Sequence, residues 1–244
     1  MSNFAYMSGT GNDFIVSTYT GPTSEIQIIS LVADSDYEVD GVIFVEPLSE
    51  TSVKMHYFNS DGSSAELCVN GVRCTAKYAL DNSLITSSNV SVVAPVGTLN
   101  VSINENIVTV DSPIPTFSNA EYIIDDIKCV KSEVGNPHLL VEVPNVDTFN
   151  LKDFAEKVNS SGDFPYGVNI EIYELIENSY IKSRVYERGV GETDACGSGA
   201  LCLFNYLSTS NKSSNPATVL FPGGGLDLEF KDSKLLLSGT VTYL

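Results

Sequence analysis

Cys196-Gly197-Ser198-Gly199-Ala200-Leu201-Cys202 repeats, without a gap, the pattern of an earlier stretch, Cys68-Val69-Asn70-Gly71-Val72-Arg73-Cys74. Both cysteines and the later glycine superpose, and Tyr78 and Tyr206 follow at the same remove. An alternating, strand-like run precedes each stretch: Val53, Met55 and Tyr57 before the first, Ile181 to Tyr186 before the second. A short polar loop with glycine intervenes each time, Ser60-Asp61-Gly62-Ser63 and Arg188-Gly189-Val190-Gly191. The segment after each leading cysteine is rich in apolar residues and poor in breakers, predicting helices over Val72 to Leu80 and Ala200 to Leu207.

A second echo lies upstream. Gly11-Asn12-Asp13-Phe14 opens the first half, and Gly135-Asn136-Pro137-His138 opens the second. Each stands by an apolar run, Phe14 to Val16 and Leu139 to Val143. Between the halves, Asp111-Ser112-Pro113-Ile114-Pro115 can continue neither a helix nor a central strand. The pattern predicts a duplicated domain joined near Pro113–Pro115. Short strands (Val90–Val93, Leu99–Ile103, Val108–Val110, Val168–Tyr173, Leu226–Phe230) surround a few helices.

Charge and cysteine usage narrow the function. The net charge is −18, from 31 acidic and 13 basic residues. Such a chain repels phosphate backbones and anionic lipid, so no nucleic acid and no membrane is expected as partner. The stretch Met1-Ser2-Asn3-Phe4 lacks a basic region followed by an apolar core, so a cytoplasmic location is expected. Five cysteines without a CxxC pair, and only two histidines, fit reduced thiols and no metal site. Gly189-Val190-Gly191 lacks the third glycine of a dinucleotide fingerprint.

Cys68 and Cys196 stand among small and polar residues that suit a helix N-terminus. The free N–H groups there carry partial positive charge and can hold a carboxylate. A thiol in that place is expected to have a depressed pKa, from about 8.5 towards 7. Facing one another, two such helix starts would grip an amino acid's α-carboxylate. One thiolate would remove the α-proton, and the opposite thiol would return a proton to the other face. The helix N-termini would stabilise the carbanion's charge where it develops. No pyridoxal phosphate, flavin or metal is needed, so no cofactor is expected. Cys74 and Cys202 are expected to be core side chains, and Cys129 structural.

The run Tyr186-Glu187-Arg188-Gly189-Val190-Gly191-Glu192-Thr193-Asp194-Ala195-Cys196-Gly197-Ser198-Gly199-Ala200 resembles the second active-site motif of diaminopimelate epimerases. Phe58 to Ser63 through Cys68 to Cys74 resembles the first, and Gly9 to Phe14 and Val134 to His138 resemble two further blocks, in the right order. The resemblance implies an α+β fold of two pseudo-symmetric domains with the active site between them. Each domain would be a bent, barrel-like β-sheet around a central helix. It implies residues 1–114 plus about 233–244 as the half with Cys68, and 115–232 as the half with Cys196. It further implies a homodimer and the conversion of L,L- to meso-diaminopimelate in lysine biosynthesis. Carried over, Cys68 and Cys196 are the acid–base pair, with His138 and Glu187 assisting. Val69, Asn70, Gly197 and Ser198 present backbone donors to the carboxylate. Asn12, Asn59, Asn136, Asn169 and Arg188 bind the substrate.

Each of the assisting residues also has a plain structural reading. His138 suits a packed strand start, Asn59 and Asn169 suit turns, and Glu187–Arg188 suits a solvated pair. Val69 stands where the family usually has glycine, Ser8 replaces a common histidine, and Glu38-Val39-Asp40-Gly41 only partly matches a glycine-rich loop. These departures leave a related racemase with another substrate, such as a histidine racemase, as the alternative. A redox pair of thiols is a third reading, one that gives the asparagines no purpose.

Overall fold

The computed structural model describes residues 4–64 and 68–244. The start of the chain and residues 65–67 of the first active-site block therefore lie outside the described residues. In chain order, the first half contains β1 (Ala5–Ser8), β2 (Asp13–Thr18), α1 (Glu25–Ala33), β3 (Gly41–Ser49), β4 (Ser52–Asn59), α2 (Val69–Asp81), β5 (Asn89–Ala94), β6 (Gly97–Asn104) and β7 (Ile107–Ser112). The second contains β8 (Thr116–Ile124), β9 (Ile127–Glu133), β10 (Pro137–Glu142), α3 (Leu151–Ser160), β11 (Asn169–Glu177), β12 (Tyr180–Glu187), β13 (Gly191–Thr193), α4 (Gly197–Thr209), β14 (Ala217–Phe221) and β15 (Gly224–Lys231). Strands β16 (Lys234–Thr240) and β17 (Thr242–Tyr243) end the chain. Met1–Ser112 with Ser238–Leu244 form one compact unit, and Pro113–Leu237 form another. The Pro113–Pro115 connector lies between β7 and β8, outside both strands.

The duplication is visible in the strand pairing of each unit. In the first unit β1–β2 is antiparallel, β2–β3 parallel, β3–β4 antiparallel and β4–β5 parallel. In the second, β9–β10, β10–β11, β11–β12 and β12–β14 repeat that alternation. A parallel neighbour requires a crossover. Helices α1 and α2 supply it in the first unit, and α3 and α4 supply it in the second. The mixed α+β architecture of two like units agrees with the sequence reading.

Helix α2 packs against β2 to β7, and α4 packs against β8, β10, β11, β14 and β15. Almost every residue of the two helices is buried, because each is surrounded by its own unit's strands. A helix buried around most of its circumference belongs inside a domain. Small residues (Ala76 and Ala79 in α2, Ala200 in α4) let the strands come close. Cys74, Cys129 and Cys202 are core side chains, and all five cysteines are free thiols. Among the described residues, no helix is long and apolar enough to cross a membrane.

Both helices begin directly after Cys68 and Cys196, at the helix N-termini that the small and polar residues around each cysteine suggested. The glycines in these first turns are where the helix meets other groups too closely for a side chain. A Cβ on Gly199 would lie 2.5 Å from Glu171 Oε1, and one on Gly71 would lie 3.1 Å from Ile43 Cδ1. Gly41 is set by the same constraint: a Cβ there would be 2.4 Å from the Phe58 carbonyl of β4.

Candidate active site

Two half-sites occupy equivalent places in the two units. In the first, Cys68 is the N-cap of α2, with φ −130° and ψ 92°, and its sulfur accepts the Gly71 N–H at 3.3 Å. A thiol here does the work that serine or asparagine does at ordinary N-caps. The Cys68 thiol points to Asn12 Oδ1 at 3.6 Å. Val69 and Asn70 are the first two residues of α2, and both are buried. Their backbone N–H groups are among those a helix cannot satisfy internally. Asn70 Oδ1 accepts from Arg73 at 2.8 Å, which fixes the amide in place. Asn59 ends β4, and its Nδ2 donates to Ser63 Oγ at 2.9 Å. The Glu38–Gly41 stretch enters β3 through a tie of Asp40 to Asp13: Asp13 N–H donates to Asp40 Oδ2 at 2.7 Å.

In the second half-site, Cys196 is the N-cap of α4, with φ −130° and ψ 111°, and its sulfur accepts the Gly199 N–H at 3.4 Å. Ser198 Oγ lies 3.3 Å from the same sulfur. Gly197 and Ser198 open the helix, and both are buried. The near-identical cap torsions of the two cysteines are the local signature of the repeat. They follow from the shared sequence, a cysteine three residues before a buried glycine.

The surroundings of Cys196 are richer in ionisable groups. His138, on β10, is fully buried, and its Nδ1 lies 2.7 Å from Glu171 Oε1 on β11. His138 Nε2 lies 3.0 Å from Asn136 Oδ1. Asn169 pairs with His138 across the parallel β10–β11 ladder, and its Oδ1 accepts the Arg188 N–H at 2.9 Å. Glu187 ends β12 and accepts from Thr193 Oγ1 at 2.5 Å. The exposed Arg188 turns its Nη1 to the Tyr166 carbonyl at 3.2 Å and lines a recess of about 330 Å³ with Asn159, Tyr186 and Val190.

The expectation of a depressed thiol pKa is corrected at Cys196. Burial pushes the thiol well above its ordinary value, and Glu187 and Glu171 push it in the same direction. The Gly199 N–H and the Ser198 hydroxyl act the other way, and they are outweighed. The helix N-terminus is present as expected, but desolvation of an anion in a closed site is the larger effect.

Glu171 was missed by the sequence reading. It is fully buried, and the Asn169-Ile170-Glu171 alternation of β11 sets it on the same sheet face as Asn169. A glutamate between two buried isoleucines, Ile170 and Ile172, was the available signal. His138, Glu171 and Cys196 also form a group of metal-ligating type, with donor atoms within 4.8 Å of one another. The short His138–Glu171 hydrogen bond joins two of its three members.

The sequence model of the diaminopimelate epimerase family matches residues 4–114 and 130–244. A diaminopimelate epimerase from Methanococcus maripaludis is 32% identical, with 98% of this chain and 96% of that protein covered. One from Acetivibrio thermocellus is also 32% identical, over 94% of this chain and 91% of that one. The crystal structure of a probable proline racemase from Agrobacterium radiobacter superposes with a TM-score of 0.76 at 11% identity, covering all of this chain and 91% of that one, which speaks for the fold. Matched through both repeats, with each capping cysteine inside the matched blocks, the chain belongs to the diaminopimelate epimerase family.

Proposed function

We propose that this protein is a diaminopimelate epimerase that interconverts the L,L and meso isomers by proton transfer between substrate and two thiols. The two units serve as its epimerase halves, one carrying Cys68 and the other Cys196. The observation that carries the reading is the matched pair of cysteine N-caps, each on a buried helix at the equivalent point of a repeated fold. A cysteine sulfur at a helix start lies beside N–H groups that favour negative charge. A substrate α-carboxylate held there is stabilised as the carbanion's charge spreads into it.

In this reading Cys68 takes the α-proton of one isomer and Cys196 supplies a proton to the opposite face. Burial and the two nearby carboxylates keep Cys196 as the thiol before substrate arrives, which suits a proton donor. The proton count closes: the Cys68 thiolate becomes a thiol, and the Cys196 thiol becomes a thiolate. The reverse reaction exchanges the roles. His138 and Glu187 assist around Cys196. The N–H groups of Val69, Asn70, Gly197 and Ser198 hold the reacting carboxylate. Asn12, Asn59, Asn136, Asn169 and Arg188 bind the substrate, several of them at its second amino-acid end. The chemistry needs no cofactor. A cytoplasmic homodimer is part of the same proposal and rests on the family.

The test is epimerisation of L,L-diaminopimelate in deuterated water without added cofactor, followed by NMR. Deuterium should enter the α-position with saturable kinetics. No exchange with this substrate, together with exchange in another amino acid, rejects it. Val69 favours that second reading, a racemase for a different amino acid. At 2% exposure its branched side chain fills the first turn of α2, where the family usually has glycine, and so narrows the space beside the carboxylate.

A further inference from the structure

Glu171 is a fully buried acidic side chain that the fold does not need. Its Oε1 lies 2.7 Å from His138 Nδ1, while Oε2 is also shut off from solvent and has no hydrogen-bond partner among the described residues. No lysine or arginine pairs with it among the described residues; its one ionic partner is His138. A carboxylate oxygen left unpaired in the interior opposes folding, so its presence calls for another reason.

Its position supplies one. Glu171 lies against the first turn of α4, where Gly199 leaves it room, and Gly199 also gives its N–H to the Cys196 sulfur. The donor atoms of Glu171, His138 and Cys196 all fall within 4.8 Å of one another. The ionisable groups around the sulfur are Glu171 from β11, His138 from β10 and Glu187 from the end of β12. Among the described residues, the other strands packed on α4 (β8, β14 and β15) send no charge that acts on it.

We propose that Glu171 is a positioning residue for Cys196: it orients the His138 ring through Nδ1 and uses its charge to keep Cys196 protonated as the proton donor. This rests on the two-thiol reading. The bond to Glu171 places a proton on His138 Nδ1 and fixes the ring's orientation. After Cys196 has given its proton to the substrate carbanion, the thiolate faces the Glu171 carboxylate. That repulsion drives recovery of a proton from substrate or water.

The experiment compares the full chain with Glu171→Gln, which keeps an oxygen for His138 but carries no charge. Iodoacetamide alkylation of each cysteine is followed across pH by mass spectrometry. In Glu171→Gln the midpoint for Cys196 should fall by about one unit, giving about tenfold more label at pH 7, while Cys68 labelling stays unchanged. The kcat for epimerisation should fall at least about tenfold with KM within about twofold. A folded Glu171→Gln protein with an unshifted Cys196 midpoint overturns the proposal. Should that variant not fold, the unaltered protein decides: a Cys196 midpoint at or below about 8.5, the value of a free cysteine, overturns it as well. The labelling needs no turnover, so absence of epimerisation alone would strike the two-thiol reading and not the charge effect.

Discussion

Arg73 reaches back one helical turn to donate from Nη2 to Asn70 Oδ1 at 2.8 Å, and Arg73 is wholly removed from solvent. The same guanidinium donates to the Thr240 carbonyl at 2.8 Å, to the Gly9 carbonyl at 3.2 Å and to Thr10 Oγ1 at 3.1 Å. Among the described residues no carboxylate neutralises it; burial brings its pKa down to about 10. One side chain therefore ties the first turn of α2 to the Gly9–Thr10 loop and to the end of β16. Lysine keeps the charge but cannot reach four acceptors with a planar fork. Arg73→Lys should lose about 2–4 kcal/mol of stability in urea unfolding and lower kcat, because Asn70 is no longer held.

Either sulfur should be indispensable to inversion and dispensable to folding. Serine is itself a preferred N-cap, so Cys68→Ser and Cys196→Ser keep the helix starts. Each variant should retain its circular dichroism spectrum and lose at least about 1000-fold in kcat, in keeping with the removal of an acid–base group of matched pKa. A single variant that epimerises at the original rate would remove its sulfur from the chemistry.

The two equivalent glycines should differ in tolerance. A Cβ on Gly199 would meet the Glu171 carboxylate, itself locked to His138, at 2.5 Å. At Gly71 the nearest atoms are Ile43 Cδ1 at 3.1 Å and the Cys68 sulfur at 3.3 Å, and the first of these ends a side chain that can turn. Gly199→Ala should cost about 2–4 kcal/mol and most of the activity, whereas Gly71→Ala should cost about 1 kcal/mol or less. Thermal melts and initial rates of the two variants make the comparison.

Alkaline pH should weaken the fold through its buried thiols. Burial pushes the Cys74 thiol up to about 12 and the Cys129 thiol up to about 11, and it raises Cys202 too. In the unfolded chain these thiols ionise near their ordinary 9.0. Above that pH the unfolded state holds fewer protons than the native one, so stability falls as pH rises. Each thiol should contribute a slope approaching about 1.4 kcal/mol per pH unit across the window from 9 to its folded value. Urea midpoints at pH 8, 9 and 10 should fall progressively, and Cys74→Ala should flatten the decline.

The repeat around the cysteines was readable because both copies keep the same small residues for the same steric reason, a helix start pressed against its neighbours. The strands were readable from alternation, as in Val53, Met55 and Tyr57 of β4, whose buried side chains line one face. The helix starts were legible from the small and polar residues around each cysteine, but only packing against Glu171 and Ile43 shows why glycine stands there. Glu171 itself was hidden: its partner His138 is distant in sequence and meets it only through the β10–β11 pairing. The Cys196 thiol was misjudged because local sequence reveals the helix N-terminus but not the depth at which the sulfur is buried or the carboxylates beside it.

Residues Ser238–Leu244 belong with the first unit, where β17 pairs with β1 and the Tyr243 hydroxyl bonds Asp81 at 2.9 Å. During synthesis on the ribosome, the whole of Pro113–Leu237 emerges before these seven residues do. The second unit thus has every segment it needs while the first still lacks its closing strand. A message cut short just at codon 238 yields the second half with all its parts and the first with an open sheet edge, a natural handle for proteases that clear unfinished chains.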